Sequence, residues 1–337
     1  MDKELAEVEK LARIKRFKGV KEVNQYLSNL LGEDYSNYRR EWARSSQQDS
    51  SAPQAPVHLD IEMQDFCNQS CVMCPRNTDV HTNLSYNINE GHVIDLDRLK
   101  QVVSDSISAG VMSLNFGAFS EPLIHKDLWN LIKFSHSKGI VDTRIITNGL
   151  LLNRWKNEIF ESGLINLFVS IDAFTEDTYQ QIRGKGFNKV VANLLEVIRE
   201  RELRASALPI IRVSWVDMEI NKHEKQQFID YWSGLVDHVD IQTWSDFTNV
   251  PINVDLSKPR IFECRSPWQR LSILANGDVL PCCDFNGRSL VLGNIQEHSL
   301  QDIWQSERLA EVRENLTSDK SPICAACQRC QGAPTGR

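Results

Sequence analysis

Cys67-Asn68-Gln69-Ser70-Cys71-Val72-Met73-Cys74 places three thiols on one short stretch, directly after the strand-like VHLDIEM at 57–63. Iron–sulfur clusters are held by deprotonated cysteine, and three thiolates on one loop can hold three corners of a cubane [4Fe–4S] cluster. A cubane has one more iron than that, so one corner stays open to a substrate or cofactor. Two rivals stand beside this reading. A structural zinc site wants four ligands, usually in C-x-x-C knuckles, and no fourth ligand lies in the run. A redox disulfide needs only two cysteines and a thioredoxin-like context. Spacing favours the open cluster and leaves both rivals standing.

Working outward, the cysteines are grouped rather than scattered. Of nine in 337 residues, three lie at 67–74, six lie at or after Cys264, and none lies between. Cysteines used as small core residues would be dispersed. The net charge is −7 and basic residues are interspersed with acids, which excludes nucleic acid as the expected partner. The first residues, MDKELAEVEK, do not read as a signal peptide. No apolar run approaches the roughly 20 residues of a membrane span, so no membrane partner is expected. A cytoplasmic, reducing location would keep the cysteines as thiolates or metal ligands.

The periodicity divides the chain into three. Residues 1–55 read as helices (ELAEVEKLARIKRF, VKEVNQYLSNLLG, YSNYRREWARSS) running into a Ser/Pro/Gln-rich linker. Residues 56–246 alternate strands with helices, about six repeats by period. Strands are expected at VHLDIEM, VMSLNF, VDTRIIT, LINLFVSI, PIIRVSWVDM and HVDIQTW. Residues 247–337 break that alternation. Regular β–α alternation implies a parallel sheet with its chemistry at the carboxyl ends of the strands, and the cysteine run follows the first strand.

These features resemble the radical S-adenosylmethionine (radical-SAM) family, which implies a partial (β/α)6 barrel of class α/β. The resemblance implies S-adenosyl-L-methionine as cofactor, chelated to the open iron of a [4Fe–4S] cluster on Cys67, Cys71 and Cys74. Gly117-Ala118-Phe119-Ser120-Glu121-Pro122 resembles the family's G-G-E-P element with two inserted positions, so only Glu121 and Pro122 carry over. Glu121 would meet the cofactor's amino group. Thr147-Asn148-Gly149 ends the third strand as in relatives, making Asn148 a cofactor-site candidate. Ser170-Ile171-Asp172, Tyr179 and Ile182-Arg183-Gly184 resemble the S-I-D … Y … I-R-G signature. There Ser170 would contact the ribose and Arg183 the cofactor carboxylate, which a guanidinium can grip bidentately. Met73 lies where the family meets the adenine.

The second cysteine group begins C-R-S-P-W-Q-R-L-S-I-L-A-N-G-D-V-L-P-C-C at Cys264, two strands around an Asn276-Gly277 hairpin signal. The hairpin brings Cys264 near Cys282, and Cys324-Ala-Ala-Cys327-Gln-Arg-Cys330 offers further thiols. Four cysteines suit either zinc or a fully ligated iron–sulfur cluster, and spacing does not separate them. The order resembles the SPASM/twitch extension of radical-SAM enzymes, over residues 264–330. A full SPASM domain carries more cysteines and a second auxiliary cluster, so one auxiliary [4Fe–4S] is expected. Its ligands would be Cys264, Cys282, Cys324 and Cys327, with Cys330 able to replace either of the last two. Cys283 reads as a buried thiol or as a hydrogen donor.

The resemblance implies an oxidoreductase, with a 5′-deoxyadenosyl radical abstracting hydrogen and the auxiliary cluster accepting an electron. A small polar, carbohydrate- or aminocyclitol-like substrate is expected. An electron donor such as flavodoxin or ferredoxin is implied as partner. Asp172, Asp217, Glu219 and Asp246 fall near strand ends, where they would bind hydroxyls or act as base. Two rival reactions are epimerisation, with Cys283 or Cys330 as hydrogen donor, and peptide or protein modification. A non-catalytic cluster carrier is the rival of another class.

Overall fold

The computed structural model describes residues 17–45, 53–77, 90–117, 119–244, 264–282 and 290–317. Six strands run parallel in chain order: β1 (His58–Ile61), β2 (Ser113–Phe116), β3 (Asp142–Thr147), β4 (Asn166–Ser170), β5 (Ile210–Asp217) and β6 (His238–Thr243). Each pairs with its sequence neighbour in register, from His58 opposite Ser113 to Arg212 opposite His238. The expected strands are all present.

That order decides the shape. Right-handed crossovers between parallel strands put every connecting helix on the same face when the order never reverses. The layer outside the strands includes α3 (Leu96–Ala109), α4 (Leu128–Ser137), α7 (Phe187–Leu203) and α8 (Lys225–Trp232). The short α5 (Lys156–Glu161) and α6 (Glu176–Ile182) lie between them in the chain. Leu59, Ile61, Leu114, Phe116, Ile145, Leu167, Val169 and Val213 face that layer in one continuous apolar core. The opposite face receives no crossover helix and is covered by the curl of the sheet itself.

Side chains alternate across a strand, so directly opposed residues share a face. The inward face is therefore polar. β1 and β2 contribute His58, Asp60, Ser113 and Asn115; β3 to β5 contribute Asp142, Arg144, Asn166, Ser170, Arg212 and Ser214. Almost all are buried, Asp60 at 3% exposure and Asn115 at 4%.

The expected helices over 20–47 are α1 (Val20–Leu31) and α2 (Glu33–Ser45). They pair as a hairpin across the amino-terminal mouth of the barrel. Val23, Leu27, Tyr35 and Tyr38 pack on Val57, Ile165 and Ile210, with Met112 and Val141 at the margin. Those five residues begin or immediately precede their strands. At one end the Phe17 amide donates to the Asp237 carbonyl before β6 (2.9 Å). At the other, Gln269 donates to the Trp42 carbonyl (3.0 Å).

The C-terminal segment joins the same sheet, which the broken alternation gave no reason to expect. After α9 (Ser266–Gln269), β7 (Arg270–Ile273) pairs parallel with β1, His58 opposite Arg270. β8 (Asp278–Leu280) returns antiparallel through the expected Asn276-Gly277 turn, and β9 (Gly293–Asn294) follows. The helical apolar period of SLQDIWQSERLAEVRENL at 299–316 is carried by two helices, α10 (Leu300–Trp304) and α11 (Glu307–Thr317). Ser306 interrupts it by acting as a cap, its hydroxyl accepting from the Leu309 amide (3.3 Å).

If α1 and α2 are integral to the barrel, Tyr38→Ala should cost about 3–5 kcal/mol, the usual range for deleting a buried aromatic. Urea unfolding checks this. A change below about 0.5 kcal/mol, typical of surface substitutions, would mark the hairpin as a detached appendage.

Candidate active site

The cysteine loop leaves the carboxyl end of β1 and is fixed from three sides. The Val72 amide donates to the Ile182 carbonyl (2.9 Å), and Gln69 donates to the Tyr179 hydroxyl (2.8 Å). Asn148 donates to Asn68 (2.7 Å). Arg76 donates to the Phe119 carbonyl (2.8 Å) and the Asp65 carbonyl (2.7 Å). The separate sequence elements at 117–122, 147–149, 170–172 and 179–184 thus converge on Cys67–Cys74.

None of the three thiols is in a disulfide; Cys71 is buried, Cys67 and Cys74 half-buried. Burial pushes the Cys71 thiol up to about 11; Arg183 pulls the other way, and Cys74 and Cys67 push it further. Burial raises Cys67 and Cys74 as well. Thiolates crowded here repel one another, and a cationic metal centre relieves that. The donor set is all sulfur, as an iron–sulfur cluster requires. By its chemistry the loop fits such a cluster.

Arg183 is 8% exposed and lies beside the loop, its Nη1 3.6 Å from the Cys71 sulfur. Its Nε and Nη2 both donate to Asp172 Oδ2, the former at 2.7 Å. Asp172 raises the guanidinium's pKa against the cost of its burial. Asp172 has no exposure and sits at φ 61°, in the left-handed region that Asp and Asn tolerate better than most residues. Its Oδ1 accepts from the Val216 amide (2.7 Å), and its carbonyl accepts from Asn221 (2.9 Å). The expectation of a substrate-facing base is corrected: Asp172 is buried, both oxygens are engaged, and it anchors Arg183.

Glu121 is held by a comparable set of hydrogen bonds. Only 2% exposed, its carboxylate accepts from Thr147 Oγ1 (2.7 Å), the Asn148 amide (2.8 Å) and the Leu123 amide (3.0 Å). Its backbone meets Phe66 and Gln64. Burial pushes its carboxyl up to about 7, against the pull of those hydrogen bonds. The side chain braces the loops around the cysteines.

Ser170 ends β4 on the inward face, 3.4 Å from the Ser214 hydroxyl, and Met73 is half-buried within the loop. Asp217 shares the outward face of β5 with Trp215, bonds to it (3.4 Å) and pairs with Lys225 (2.8 Å). Glu219 is 83% exposed and pairs with Lys222. Neither points inward, so neither serves as an inward-facing base. Asp246, Cys283, Cys324, Cys327 and Cys330 lie outside the described residues.

Cys264 precedes α9 and Cys282 follows β8. Leu280 is opposite Ser272, so Cys282 follows at the level of Arg270 and hence of His58. That is the amino end of β1, whereas the first cysteine loop follows its carboxyl end. The barrel interior lies between.

Sequence reasoning missed that interior. Asp60 accepts from Asn115 (2.8 Å) and Arg270 (3.3 Å), and Arg212 pairs with Asp240. Burial works against the charge on Asp60, but His58, Arg270 and Asn115 hold its carboxyl far below the ordinary range. Burial lowers the pKa of His58 against the pull of Asp60; its Nδ1 lies 2.7 Å from the Ser113 hydroxyl and its Nε2 3.4 Å from Asp60. The signal was present as polar residues at alternate positions of β1, β2, β3 and β5, with Ile146, Phe168 and Val216 as apolar exceptions on the same face. A parallel strand buried on both faces ordinarily reads as continuously apolar.

Residues 61–219 match the model of the radical SAM superfamily, and residues 264–331 match that of an iron–sulfur cluster-binding SPASM domain. A GTP 3′,8-cyclase of Alkaliphilus metalliredigens is 28% identical over 144 residues, 42% of this chain and 43% of that protein. One from Thermodesulfovibrio yellowstonii is 26% identical over 183 residues, 54% and 53% of the two chains. The chain thus spans about half the length of the curated relatives it matches. Streptococcus suis SuiB, bound to precursor peptide SuiA, superposes with a TM-score of 0.63 at 15% identity, covering 87% of this chain and 80% of that one. An anSMEcpe structure with bound AdoMet gives 0.58 at 14% identity, covering 82% and 83%. At such identities these structures establish the fold.

Removing one member of a buried ion pair strands the other charge. Asp172→Ala should therefore destabilise the chain by about 3–5 kcal/mol. The double variant Asp172→Ala/Arg183→Met should recover part of that loss in urea unfolding. Equal losses in both would contradict the anchoring role.

Proposed function

Because this chain belongs to the radical SAM superfamily and carries a SPASM domain, we propose that it oxidises a small polar, carbohydrate- or aminocyclitol-like substrate held inside the barrel. One observation carries the reading. Polar side chains line the inward face between a three-cysteine loop after β1 and the β7–β8 hairpin, which Cys282 follows.

In this reading Cys67, Cys71 and Cys74 hold a [4Fe–4S] cluster, and Cys264 and Cys282, with Cys324 and Cys327 or Cys330, hold an auxiliary one. With S-adenosyl-L-methionine, the first supplies one-electron chemistry that removes hydrogen from an unactivated carbon, and the second supplies an electron acceptor. The protein supplies position and field. Arg183, oriented by Asp172, presents its Nη1 beside Cys71 and pairs with the cofactor's carboxylate. Ser170 meets the ribose and Met73 the adenine, with Asn148 fixing the cysteine loop through Asn68. The lumen's Asn, Ser, Asp and Arg groups hydrogen-bond hydroxyls and amines and hold the reacting carbon toward the carboxyl end. Flavodoxin or ferredoxin delivers the electron.

A second reading, reaction of a nucleoside triphosphate, draws on the names of the sequence relatives and on the lumen arginines.

Anaerobically reconstituted protein should contain about eight irons per chain, two cubanes' worth. It should cleave S-adenosyl-L-methionine to 5′-deoxyadenosine under reduction. Cys71→Ala should abolish cleavage and lower iron by about half. No cleavage with any reductant would overturn the reading, and four irons with one zinc would remove the electron acceptor. Conversion of GTP to a cyclised product would favour the second reading.

A further inference from the structure

The lumen arginines are not equivalent. Arg270 pairs with Asp60 and Arg212 with Asp240. Arg144 has only Asp142 nearby, with 3.9 Å between Nη2 and Oδ2, too long for a hydrogen bond. Asp142 Oδ1 is already taken by Asn166 (2.7 Å). Among the described residues Arg144 donates no hydrogen bond, its Nε is buried without a partner, and its side chain is 15% exposed. Its position is nonetheless fixed by stacking over Phe168, 4.8 Å from the ring centroid.

A second guanidinium approaches from below. Arg39 of α2 stacks on Tyr38 (5.1 Å) and Trp42 (5.4 Å), and its hydrogen bond is to the Tyr38 hydroxyl (3.3 Å). Among the described residues it has no carboxylate partner. Burial chiefly raises the Tyr35 and Tyr38 hydroxyls; of the charges acting on the pair, Asp142 raises both and Arg39 and Arg144 lower both.

A mostly buried guanidinium with unmet donors is costly, and an oxyanion, met by parallel N–H donors, is its best partner. We infer that Arg144, backed by Arg39, binds an oxyanion group of the substrate, phosphate or carboxylate, at the amino-end floor of the barrel. The inference rests on the reading that substrate occupies the lumen, and it names a substrate class. Arg144 lies three residues before the end of β3. The charged group is therefore held roughly 10 Å below the carboxyl edge at 3.3 Å per residue, and the uncharged end points at the cysteine loop.

The test is thermal unfolding of the anaerobic holoenzyme with inorganic phosphate, malonate, or chloride at matched ionic strength. Phosphate or malonate should raise Tm by about 2 °C or more over chloride at saturation, and which of them does so identifies the oxyanion. The rise should vanish in Arg144→Gln, survive reduced in Arg144→Lys, and shrink in Arg39→Gln, where a half-exposed side chain is changed and folding is not at risk. No rise over chloride, or an equal rise in Arg144→Gln that melts cooperatively, overturns the inference. S-adenosyl-L-methionine cleavage on the same preparation separates the two readings. Cleavage without an anion effect sinks this inference alone, and an anion effect without cleavage sinks the radical reading alone.

Discussion

A sheet whose parallel strands follow one another without reversal can place crossover helices on only one of its faces. The rest of this molecule answers that constraint. The outward faces of β1 to β5 bury leucine, isoleucine, valine and aromatic side chains under the helices. The inward face has only itself to pack against, and the chain has filled it with groups that pair across strands. Asp60 is the hub, reached from β2 by Asn115 and from β7 by Arg270. Buried charges persist only when paired and hydrogen-bonded. Here the buried charge of Asp60 is met by Asn115, Arg270 and His58 together.

Much of this was legible in the residues. The strands were readable because each carries a short β-rich segment between helical periods, and the cysteine loop because its spacing serves few other purposes. The helix break at Ser306 was not readable, since the apolar period continues through it from Leu300 to Leu316. Nor was the pairing of β7 with β1, which is set by three-dimensional closure. The missed signal was H-x-D in β1, S-x-N in β2, D-x-R in β3 and R-x-S in β5. Each dipeptide repeat looks like ordinary half-exposed alternation. Only when neighbouring strands are known to be parallel and helix-covered does the polar half become an interior.

The motif residues divide by what surrounds them. Carboxylates expected to face ligands, Asp172 and Glu121, are consumed by backbone amides and by Arg183, because the loops they join have orphan donors that need acceptors. The cysteine loop is thereby held in place by protein contacts at Asn68, Gln69, Val72 and Arg76. A loop fixed in advance loses less conformational entropy when it takes up a metal centre. What each motif residue touches depends on burial and partner count, which spacing in the sequence does not carry.

The N-terminal hairpin distinguishes the two ends of the barrel. Tyr35, Tyr38 and Trp42 lie against the amino ends of the strands, with Trp42 edge-on to His58 (5.7 Å) and beneath Arg270 (5.1 Å). A helical pair stretched from Phe17 beside β6 to Trp42 beside β7 closes that mouth with aromatic rings. Closure at the amino end leaves polar donors and acceptors in a shielded space, where their hydrogen bonds gain strength from the low local dielectric. The helices at 20–45 thus shape the interior as much as they complete the fold.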